Sequence, residues 1–417
     1  MSAPDPGGRP RRGLSRRQAL TGLGIALAGG LAGREAVARG SVPRAAVAQA
    51  TVTQAARAQA SVAQPAVVQA AVAPALGNQV EPAAGLTNLQ LAGQRVIGSY
   101  SGLTPPASLL SDIANGQVAG VIFFGGNISS ETQIAGVITQ LRQAQAQSPV
   151  QVPLLLMTDQ EGGQVRRLPG RPYLSEKQIG ASSDAETVAT EAGQGAASNL
   201  RSVGMNVNLA PVLDVYRKAG DFDDQFGRSY SMDPNVVSDL GSRMIKAQQA
   251  HGVAATAKHF PGLGAASASQ NTDVGPVTLN LSKDTLRTVD EVPFAAAIQA
   301  GVKLVMVSWA VYPSLGLRPA GLSPNVVQRE LRDRLHFTGV TITDALEAGA
   351  LRAFGSTQHR TLLAAIAGMD LMLCSAQSVT QGEDARAELA ADYTDGTLNG
   401  PNFLASVNRV IALRQSP

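Results

Sequence analysis

The sequence predicts a (β/α)₈ barrel for the part of the chain that follows Gly85. Short apolar runs rich in β-branched residues alternate there with longer stretches such as ETQIAGVITQLRQAQAQ and AETVATEAGQGAASNLRSVG. The runs are RVIGSY, AGVIFFGGN, PLLLMTDQEGG, MNVNLAPVLDV, AATAKHFPG, VKLVMVSWAVYP, GVTITDALE and MDLMLCSA. Near-continuous apolar strands alternating with helices indicate a parallel sheet covered by helices. Eight such units within residues 85–417 fit the usual size of a single (β/α)₈ barrel.

Polar residues follow these runs at the carboxyl ends, where a parallel barrel forms its active site. Asp159 and Glu161 come after LLLMT in the third run, and Asp214 comes after APVL in the fourth. Lys258 and His259 come after VAATA in the fifth run, and Asp344 comes after VTIT in the seventh. A doubly wound open sheet is the main alternative fold. It requires a Gly-rich phosphate loop after its first strand, and RVIGSYSG is a poor match.

Residues 1–38 predict an export signal. Paired Arg16 and Arg17 precede an uncharged apolar run in SRRQALTGLGIALAGG, and AVA at 36–38 offers a small-residue cleavage site. The pair resembles a twin-arginine signal, which exports folded proteins. The apolar run is short and rich in Gly for a membrane span, so we expect no stable span after processing. We therefore expect the mature protein outside the cell or in its envelope.

Residues 39–84 predict a flexible spacer. Between Ser41 and Ala75 the chain has no aromatic residue and no Leu, so it lacks the side chains that a specific core needs. Pro65 and Pro74 would also interrupt a long helix. The alternative is an Ala-rich helix packed on the domain, because Ala has a high helix propensity.

Charge and cysteine content narrow the classes of function. The chain has a formal net charge of +3, but residues 1–38 carry six Arg against two acidic residues, so the remainder is at −1. A nucleic-acid partner is therefore not expected. Cys374 is the only cysteine, so no intramolecular disulfide can form. With no HExxH motif and only four His, we also expect no metal site and no cofactor.

Five motifs occur in order along the barrel region: DQEGGQVRRL (159–168), NLAPVLDV (208–215), GRSYSMDP (227–234), KHFPGLG (258–264) and TDALEAGAL (343–351). Together they resemble the catalytic barrel of glycoside hydrolase family 3, and they are most similar to single-domain bacterial β-N-acetylglucosaminidases that act on cell-wall sugars. The resemblance covers about residues 85–415. It implies hydrolysis of O-glycosyl bonds in a glycan or muropeptide that contains N-acetylglucosamine. We expect a monomer.

The resemblance also assigns site residues. Asp344 matches the family's nucleophile, and a retaining glycosidase needs an ionised carboxylate below the anomeric carbon to form a glycosyl ester. The alternative for Asp344 is a cap on the following helix. Five residues match positions that hold the sugar in the first subsite, where charged groups suit hydroxyls that both donate and accept hydrogen bonds. They are Asp159, Arg167, Arg228, Lys258 and His259.

Several of these assignments have structural alternatives. Lys258 and Asp159 could form a buried ion pair that braces the barrel mouth, a role compatible with sugar binding. His259 could be a core histidine whose ring bonds a backbone carbonyl. Arg166 neighbours Arg167, and the register of the motif selects Arg167. Glu161, in the same motif, is expected to support the loop rather than to react.

The loop after KHFPG departs from the family pattern. Cell-wall members carry a second His there and then an Asp-x-His pair that acts as general acid and base. In this chain Leu263 stands at the first His, and Ser269 and Asn271 occupy the pair. Neither Ser nor Asn can protonate a leaving group near neutral pH. Asp273, two residues further on, is the nearest carboxylate, although NTD is typical of a turn.

Three functions therefore stay open at this point. The first is a retaining β-N-acetylhexosaminidase of cell-wall sugars with an atypical acid/base. The second is a relative that has lost turnover and binds glycan. The third is a lyase that forms a Schiff base on Lys258, since barrel aldolases also place a Lys at a strand end.

The predicted export signal can be tested directly. Mass spectrometry of the protein recovered from the medium or the envelope should find a chain that begins near residue 39, because the signal is removed on export. A protein that stays in the cytoplasm with Met1 intact would contradict the prediction.

Overall fold

The computed structural model describes residues 85–416, so the predicted export signal (1–38) and spacer (39–84) lie outside the described residues. Ten strands occur within 85–416: β1 Val96–Gly98, β2 Gly120–Ile122, β3 Leu155–Thr158, β4 Gln160–Gly162, β5 Val165–Arg166, β6 Val207–Asn208, β7 Ala254–Phe260, β8 Leu304–Val307, β9 Val340–Thr343 and β10 Met372–Leu373.

Twelve α-helices accompany these strands in the described range: α1 Asn88–Gly93, α2 Ala107–Ala114, α3 Glu131–Gln145, α4 Glu176–Gly180, α5 Ala185–Val203, α6 Phe222–Gln225, α7 Pro234–Ala250, α8 Lys283–Thr285, α9 Val292–Gln299, α10 Thr357–Ala367, α11 Val379–Thr394 and α12 Gly400–Gln415. Short 3₁₀ helices span Gly125–Asn127, Ala320–Leu322 and Gly349–Phe354, and π-helical turns span Leu286–Asp290 and Asn325–Arg334.

Eight of the strands form one parallel barrel, in the order β10-β1-β2-β3-β6-β7-β8-β9. A parallel bridge between Ile342 in β9 and Leu371, just before β10, joins the two ends of this order. Each of the eight apolar runs contains one barrel strand, so the predicted (β/α)₈ fold is confirmed. Within residues 85–416 no helix is long and apolar enough to cross a membrane.

The barrel interior is filled by side chains from all eight strands. Ile97, Ile122, Met157, Val207, Ala254, Leu304, Ile342 and Leu373 belong to one buried cluster. Small and branched apolar residues of this kind fill the layers inside a (β/α)₈ barrel. Because the chain has one cysteine and therefore no intramolecular disulfide, this packing carries much of the stability that holds the site in place.

A short antiparallel hairpin, β4–β5, follows β3 and was not predicted. Gln160 pairs with Arg166 across it. Gly162, at the turn, has a φ of +123°, and an added Cβ there would lie 2.2 Å from the carbonyl oxygen of Leu174. Glycine is therefore required at this turn. Glu161 lies in the first strand of this hairpin, and its carboxylate contacts Lys258 in β7.

The close approach of β2 to β3 gives a stability prediction. A Cβ added at Gly120 would lie 2.1 Å from the carbonyl oxygen of Leu155 in β3. Gly120→Ala should therefore lower the free energy of unfolding by about 1–3 kcal/mol, as overpacking does in a filled core. Chemical denaturation of the variant and the wild type measures this difference in the free energy of unfolding.

Gly136→Ala is the matched control. Gly136 lies within α3 and has nothing within 4 Å of the added Cβ. Since Ala is the better helix former by about 1 kcal/mol, this variant should be at least as stable as the wild type. Equal stability of the Gly120→Ala protein and the wild type would contradict the packing described for β2 and β3.

Candidate active site

The predicted site residues lie at the carboxyl face of the barrel. Asp159 directly follows β3, and Asp344 directly follows β9, the seventh barrel strand along the chain. Lys258 and His259 lie within the last residues of β7. These strand ends surround the face where (β/α)₈ enzymes bind their substrates.

Lys258 forms the centre of a buried ion-pair network. Its Nζ lies 2.8 Å from Asp159 Oδ1 and 2.7 Å from Glu161 Oε1, and its side chain is only 2% exposed. Burial alone would lower the pKa of Lys258, but the negative charges of Asp159 and Glu161 outweigh it and raise the pKa. The ion pair considered for Lys258 and Asp159 therefore exists, and Glu161 supports the loop as expected.

This electrostatic environment argues against the lyase. A lysine that attacks a carbonyl has to be neutral, and enzymes reach that state by lowering the pKa of the lysine. The two carboxylates beside Lys258 instead raise its pKa and keep the ammonium group protonated.

Arg228 extends the network. Its Nε and Nη2 donate to the two oxygens of Glu161, both at 2.9 Å, and Nη1 donates to Asp223 Oδ1 at 3.1 Å. Burial alone would raise the pKa of Glu161, but Arg228 and then Lys258 hold it well below its usual range. Glu161 is therefore an ionised structural bridge between two cations.

The structure distinguishes the two adjacent arginines of the hairpin. Arg167 Nε lies 3.9 Å from Asp159 Oδ2, and its backbone N–H donates to the carbonyl of Asp159 at 3.2 Å. Arg166 instead donates to the carbonyl of Gly170, and its guanidinium lies 5.3 Å from the ring centre of Tyr173. Arg167, which the motif register selected, is the arginine beside Asp159.

His259 is held by a carboxylate. Its Nδ1 lies 2.7 Å from Asp214 Oδ2, so the alternative of a ring bonded to a backbone carbonyl is wrong. Burial alone would lower the pKa of His259, but the charge of Asp214 raises it. Asp214 also accepts the backbone N–H of Leu263, which fixes the start of the next loop. The sequence places Asp214 at a strand end but gives no sign of this role.

Asp223 is a second carboxylate that sequence reasoning missed. It lies in α6, is 1% exposed, and its Oδ2 has no hydrogen-bond partner among the described residues. Burial, and then the charge of Asp214, raise the pKa of Asp223 to about 7. The only signal in the sequence is the acidic cluster DFDDQ just before GRSYSMDP.

Asp214, Asp223 and His259 offer possible metal-ligand atoms within 4.8 Å of one another. Each carboxylate already has a protein cation beside it. His259 donates to Asp214, and Arg228 donates to Asp223. The arrangement is therefore accounted for as a hydrogen-bonded charge cluster.

The side chain of Asp344 is held by the backbone of the next residue. Oδ1 accepts the N–H of Ala345 at 2.7 Å, and the carbonyl of Ala345 accepts the indole N–H of the buried Trp309 at 2.8 Å. The following 3₁₀ helix is preceded by Ala348, so the alternative of Asp344 as a helix cap is wrong. Trp309 was not singled out in the sequence, because nothing local links β8 to this loop.

The loop after β7 places Ser269 at the surface and Asn271 in a turn. Asn271 Oδ1 accepts the backbone N–H of Asp273 at 2.8 Å, so the turn predicted for NTD is confirmed. Asp273 itself is exposed.

A parallel barrel with cations and carboxylates gathered at the carboxyl ends of its strands is the architecture of an enzyme for a polar substrate. Residues 89–413 match the family model of the glycosyl hydrolase family 3 N terminal domain. The chain therefore belongs to glycoside hydrolase family 3, and it is a glycoside hydrolase that acts on carbohydrate. The resemblance carried by the five motifs is confirmed.

Individual relatives agree with this assignment. An uncharacterized secreted glycosyl hydrolase of Arthroderma benhamiae is 46% identical over 336 residues, which are 80% of this chain and 95% of that protein. The structure of a family 3 β-N-acetylglucosaminidase from a Paenibacillus species matches with a TM-score of 0.75 at 33% identity, over 80% of this chain and 63% of that chain. The β-N-acetylhexosaminidase of Beutenbergia cavernae matches with a TM-score of 0.71 at 30% identity, over 79% of this chain and 99% of that chain. This chain thus spans less than two thirds of the Paenibacillus protein.

The pair of His259 and Asp214 gives a prediction about titration. Asp214→Asn removes the charge that raises the pKa of His259, so the pKa of His259 should fall in this variant. Histidine NMR signals followed against pH measure it, and an unchanged pKa of His259 in the variant would contradict the interaction. In the wild type, the stability from protonated His259 is fully present below its ordinary pKa of about 6.5 and is lost as pH rises through the raised value.

Proposed function

We propose that this protein hydrolyses β-N-acetylhexosaminides with retention of configuration, through a covalent intermediate on Asp344. The observation that carries the proposal is the position of Asp344, directly after the seventh barrel strand and on the face that also holds Asp159, Lys258 and His259. The substrate class rests on the Paenibacillus and Beutenbergia relatives, which are a β-N-acetylglucosaminidase and a β-N-acetylhexosaminidase.

Asp344 has the freedom that a nucleophile needs. Oδ1 is held by the N–H of Ala345, while Oδ2 accepts no hydrogen bond from the described residues and is available for attack. The contact of Trp309 with the carbonyl of Ala345 keeps the backbone of this loop in place. A carboxylate oriented in this way can trap an oxocarbenium-like transition state as a glycosyl ester.

The proposed sugar-binding residues divide into two groups by exposure. Asp159 and Arg167 have side chains that are 15% and 37% exposed, so they can reach sugar hydroxyls from the end of β3. Lys258 and Arg228 direct most of their donors at Asp159, Glu161 and Asp223. We propose that these two cations orient Asp159 and contribute their remaining N–H groups to the sugar, and that His259 uses its second ring nitrogen.

The setting of this activity follows from the sequence outside the barrel. We propose that residues 1–38 direct export by the twin-arginine route, that residues 39–84 form a spacer, and that residues 85–417 act as a monomer on cell-wall glycan or muropeptide. The secreted relative from Arthroderma benhamiae supports export.

The first test measures hydrolysis of aryl N-acetyl-β-glucosaminides by the mature protein and by Asp344→Ala. Loss of a catalytic nucleophile should lower kcat by roughly 10⁴-fold or more. A 2-fluoro glycoside, which slows breakdown of the ester, should label Asp344, and mass spectrometry of peptides identifies the residue. NMR should show a product with retained configuration.

Asp333→Ala is the matched control, since Asp333 is an exposed carboxylate with no ion pair among the described residues. It should keep wild-type activity. Inverted product, or a label on a residue other than Asp344, would refute the mechanism. Glycan binding with neither turnover nor labelling would instead favour the non-catalytic relative.

A further inference from the structure

The loop after β7 is docked onto the loop that carries Asp344. The N–H of Gly349 donates to the carbonyl of Asp273 at 2.8 Å, and the N–H of Ala350 donates to the carbonyl of Thr272 at 2.9 Å. These bonds link a segment that follows the fifth barrel strand to one that follows the seventh. Gly349 is only five residues along the chain from Asp344, so these bonds join the backbone of Asp273 to the loop that carries Asp344.

The same loop is fixed on its other side by the segment after β8. The N–H of Val311 donates to the carbonyl of Val277 at 2.8 Å, and the N–H of Leu279 donates to the carbonyl of Val311 at 2.9 Å. The loop that contains Asp273 is therefore anchored by backbone hydrogen bonds to both following strand ends. Such anchoring gives a loop residue a defined position.

Gly349 allows this close approach. A Cβ added there would lie 2.2 Å from the carbonyl oxygen of Val274 and 2.8 Å from that of Asp273. Any other residue would force the two loops apart. The sequence TDALEAGAL thus supplies both the carboxylate Asp344 and the glycine against which the neighbouring loop rests.

The Asp273 carboxyl group is free and electrostatically coupled to Asp344. Its oxygens make no hydrogen bond with the described residues, and the residue is accessible to solvent. Partial desolvation of the carboxyl group, and then the negative charge of Asp344, raise the pKa of Asp273 to about 6. The positive charges of Arg228 and His259 lower the pKa of Asp273, and the negative charge of Glu347 raises it.

The other candidates near Asp344 are less suited to proton transfer. Ser269 and Asn271 lack a suitable pKa, and Asn271 is engaged in holding the N–H of Asp273. Glu347 also has a raised pKa. However, its two oxygens are held by Ser375 at 2.7 Å and Gln381 at 3.1 Å.

We propose that Asp273 is the general acid and base of this enzyme, an inference that rests on the proposed role of Asp344 as nucleophile. In the first step Asp344 attacks the anomeric carbon, the glycosidic C–O bond breaks, and the leaving oxygen takes the proton of Asp273. In the second step Asp273 accepts a proton from water, the water oxygen bonds to the anomeric carbon, and the ester bond to Asp344 breaks. Both carboxyl groups end in their starting states.

The charge of Asp344 makes this exchange of roles favourable. While Asp344 is ionised, its charge stabilises the protonated form of Asp273, which is the acid that the first step requires. Formation of the ester removes that charge. The pKa of Asp273 then falls, and the carboxylate that results is the base that the second step requires.

The test compares wild type and Asp273→Asn on two N-acetyl-β-glucosaminides. With an alkyl leaving group, kcat/KM should fall by roughly 10²- to 10⁴-fold, because the departing oxygen needs a proton. With dinitrophenolate as leaving group, kcat/KM should stay within about tenfold of wild type, since this group departs without protonation. Azide should raise kcat of the variant on the dinitrophenyl substrate and give the β-glycosyl azide, because an anion needs no general base.

The pH dependence provides a second readout. In the wild type, kcat/KM for the alkyl glycoside should fall as pH rises through about 6, since Asp273 has to be protonated for the first step. In Asp273→Asn this limb of the profile should be absent. A residue with a merely structural role would not remove it.

Glu347→Gln tests the other carboxyl group near Asp344 as a possible acid and base. Ser269→Ala is the matched control in the loop after β7, which also carries Asp273. Ser269→Ala should behave as wild type for both substrates. The inference is overturned if Asp273→Asn loses activity equally on both substrates, if azide has no effect, or if Glu347→Gln shows the leaving-group pattern instead.

Labelling of Asp344 distinguishes this failure from failure of the proposed function. If the wild type turns over and is labelled at Asp344 while Asp273→Asn shows no leaving-group dependence, only the acid/base assignment fails. If the wild type is labelled elsewhere or turns over no glycoside, the proposed function fails and the role of Asp273 with it. Unchanged binding of N-acetylglucosamine by Asp273→Asn would show that the variant is folded.

Discussion

The buried ammonium group of Lys258 is the constraint on which the rest of the site depends. A charge so far from water is tolerated only with partners at hydrogen-bonding distance, and Asp159 and Glu161 supply them at 2.8 and 2.7 Å. Removing one member of such a pair typically costs about 3–5 kcal/mol, because the other charge is left uncompensated. The positions of β3, its hairpin and β7 are therefore tied to one another through a single side chain.

The burial of Lys258 also constrains the charged groups around it. Glu161 has to remain ionised to balance Lys258, and its second cation, Arg228, then reaches Asp223. Asp223 in turn lies close to Asp214 and His259, whose bond fixes the start of the loop after β7. Charge-assisted hydrogen bonds thus run from the third barrel strand to Asp223, and the charge interaction of Asp223 with Asp214 and His259 links them to the loop that carries Asp273. Its members set one another's protonation states as well as their positions.

The fold was predictable because its signal is repeated. Each barrel strand is a short buried run, and eight of them in series leave little choice of architecture. The polar residues at strand ends were predictable for the same reason, since a parallel barrel places those ends on one face. The hairpin β4–β5 was missed because its strands are short and its signal is a Gly–Gly turn within a motif.

The partners of the predicted residues could not be found from sequence. Asp214 pairs with His259, and Trp309 with the loop of Asp344, across distances along the chain that no local pattern records. Asp223 is a buried carboxyl group whose pKa rises because burial outweighs the charge of Arg228, and burial of one side chain is a tertiary property. The sequence identifies the groups and the face, but the folded chain decides which groups are ionised.

The loop after β7 illustrates why spacing within a motif is a weak guide to function there. Its position is set by backbone hydrogen bonds to Gly349, Ala350 and Val311, which constrain the path of the chain but not the side chains that it carries. A loop held in this way can lose the Asp and the His of the family pattern without losing its contact with the nucleophile loop. Counting from Lys258 leads to Ser269 and Asn271, whereas the contact with Gly349 selects Asp273. The residue that transfers the proton is then the carboxyl group that the docked backbone brings close to Asp344. The charge of Asp344 raises the pKa of that carboxyl group, and its loss in the ester lowers the pKa again, so it controls when the proton is held and when it is released.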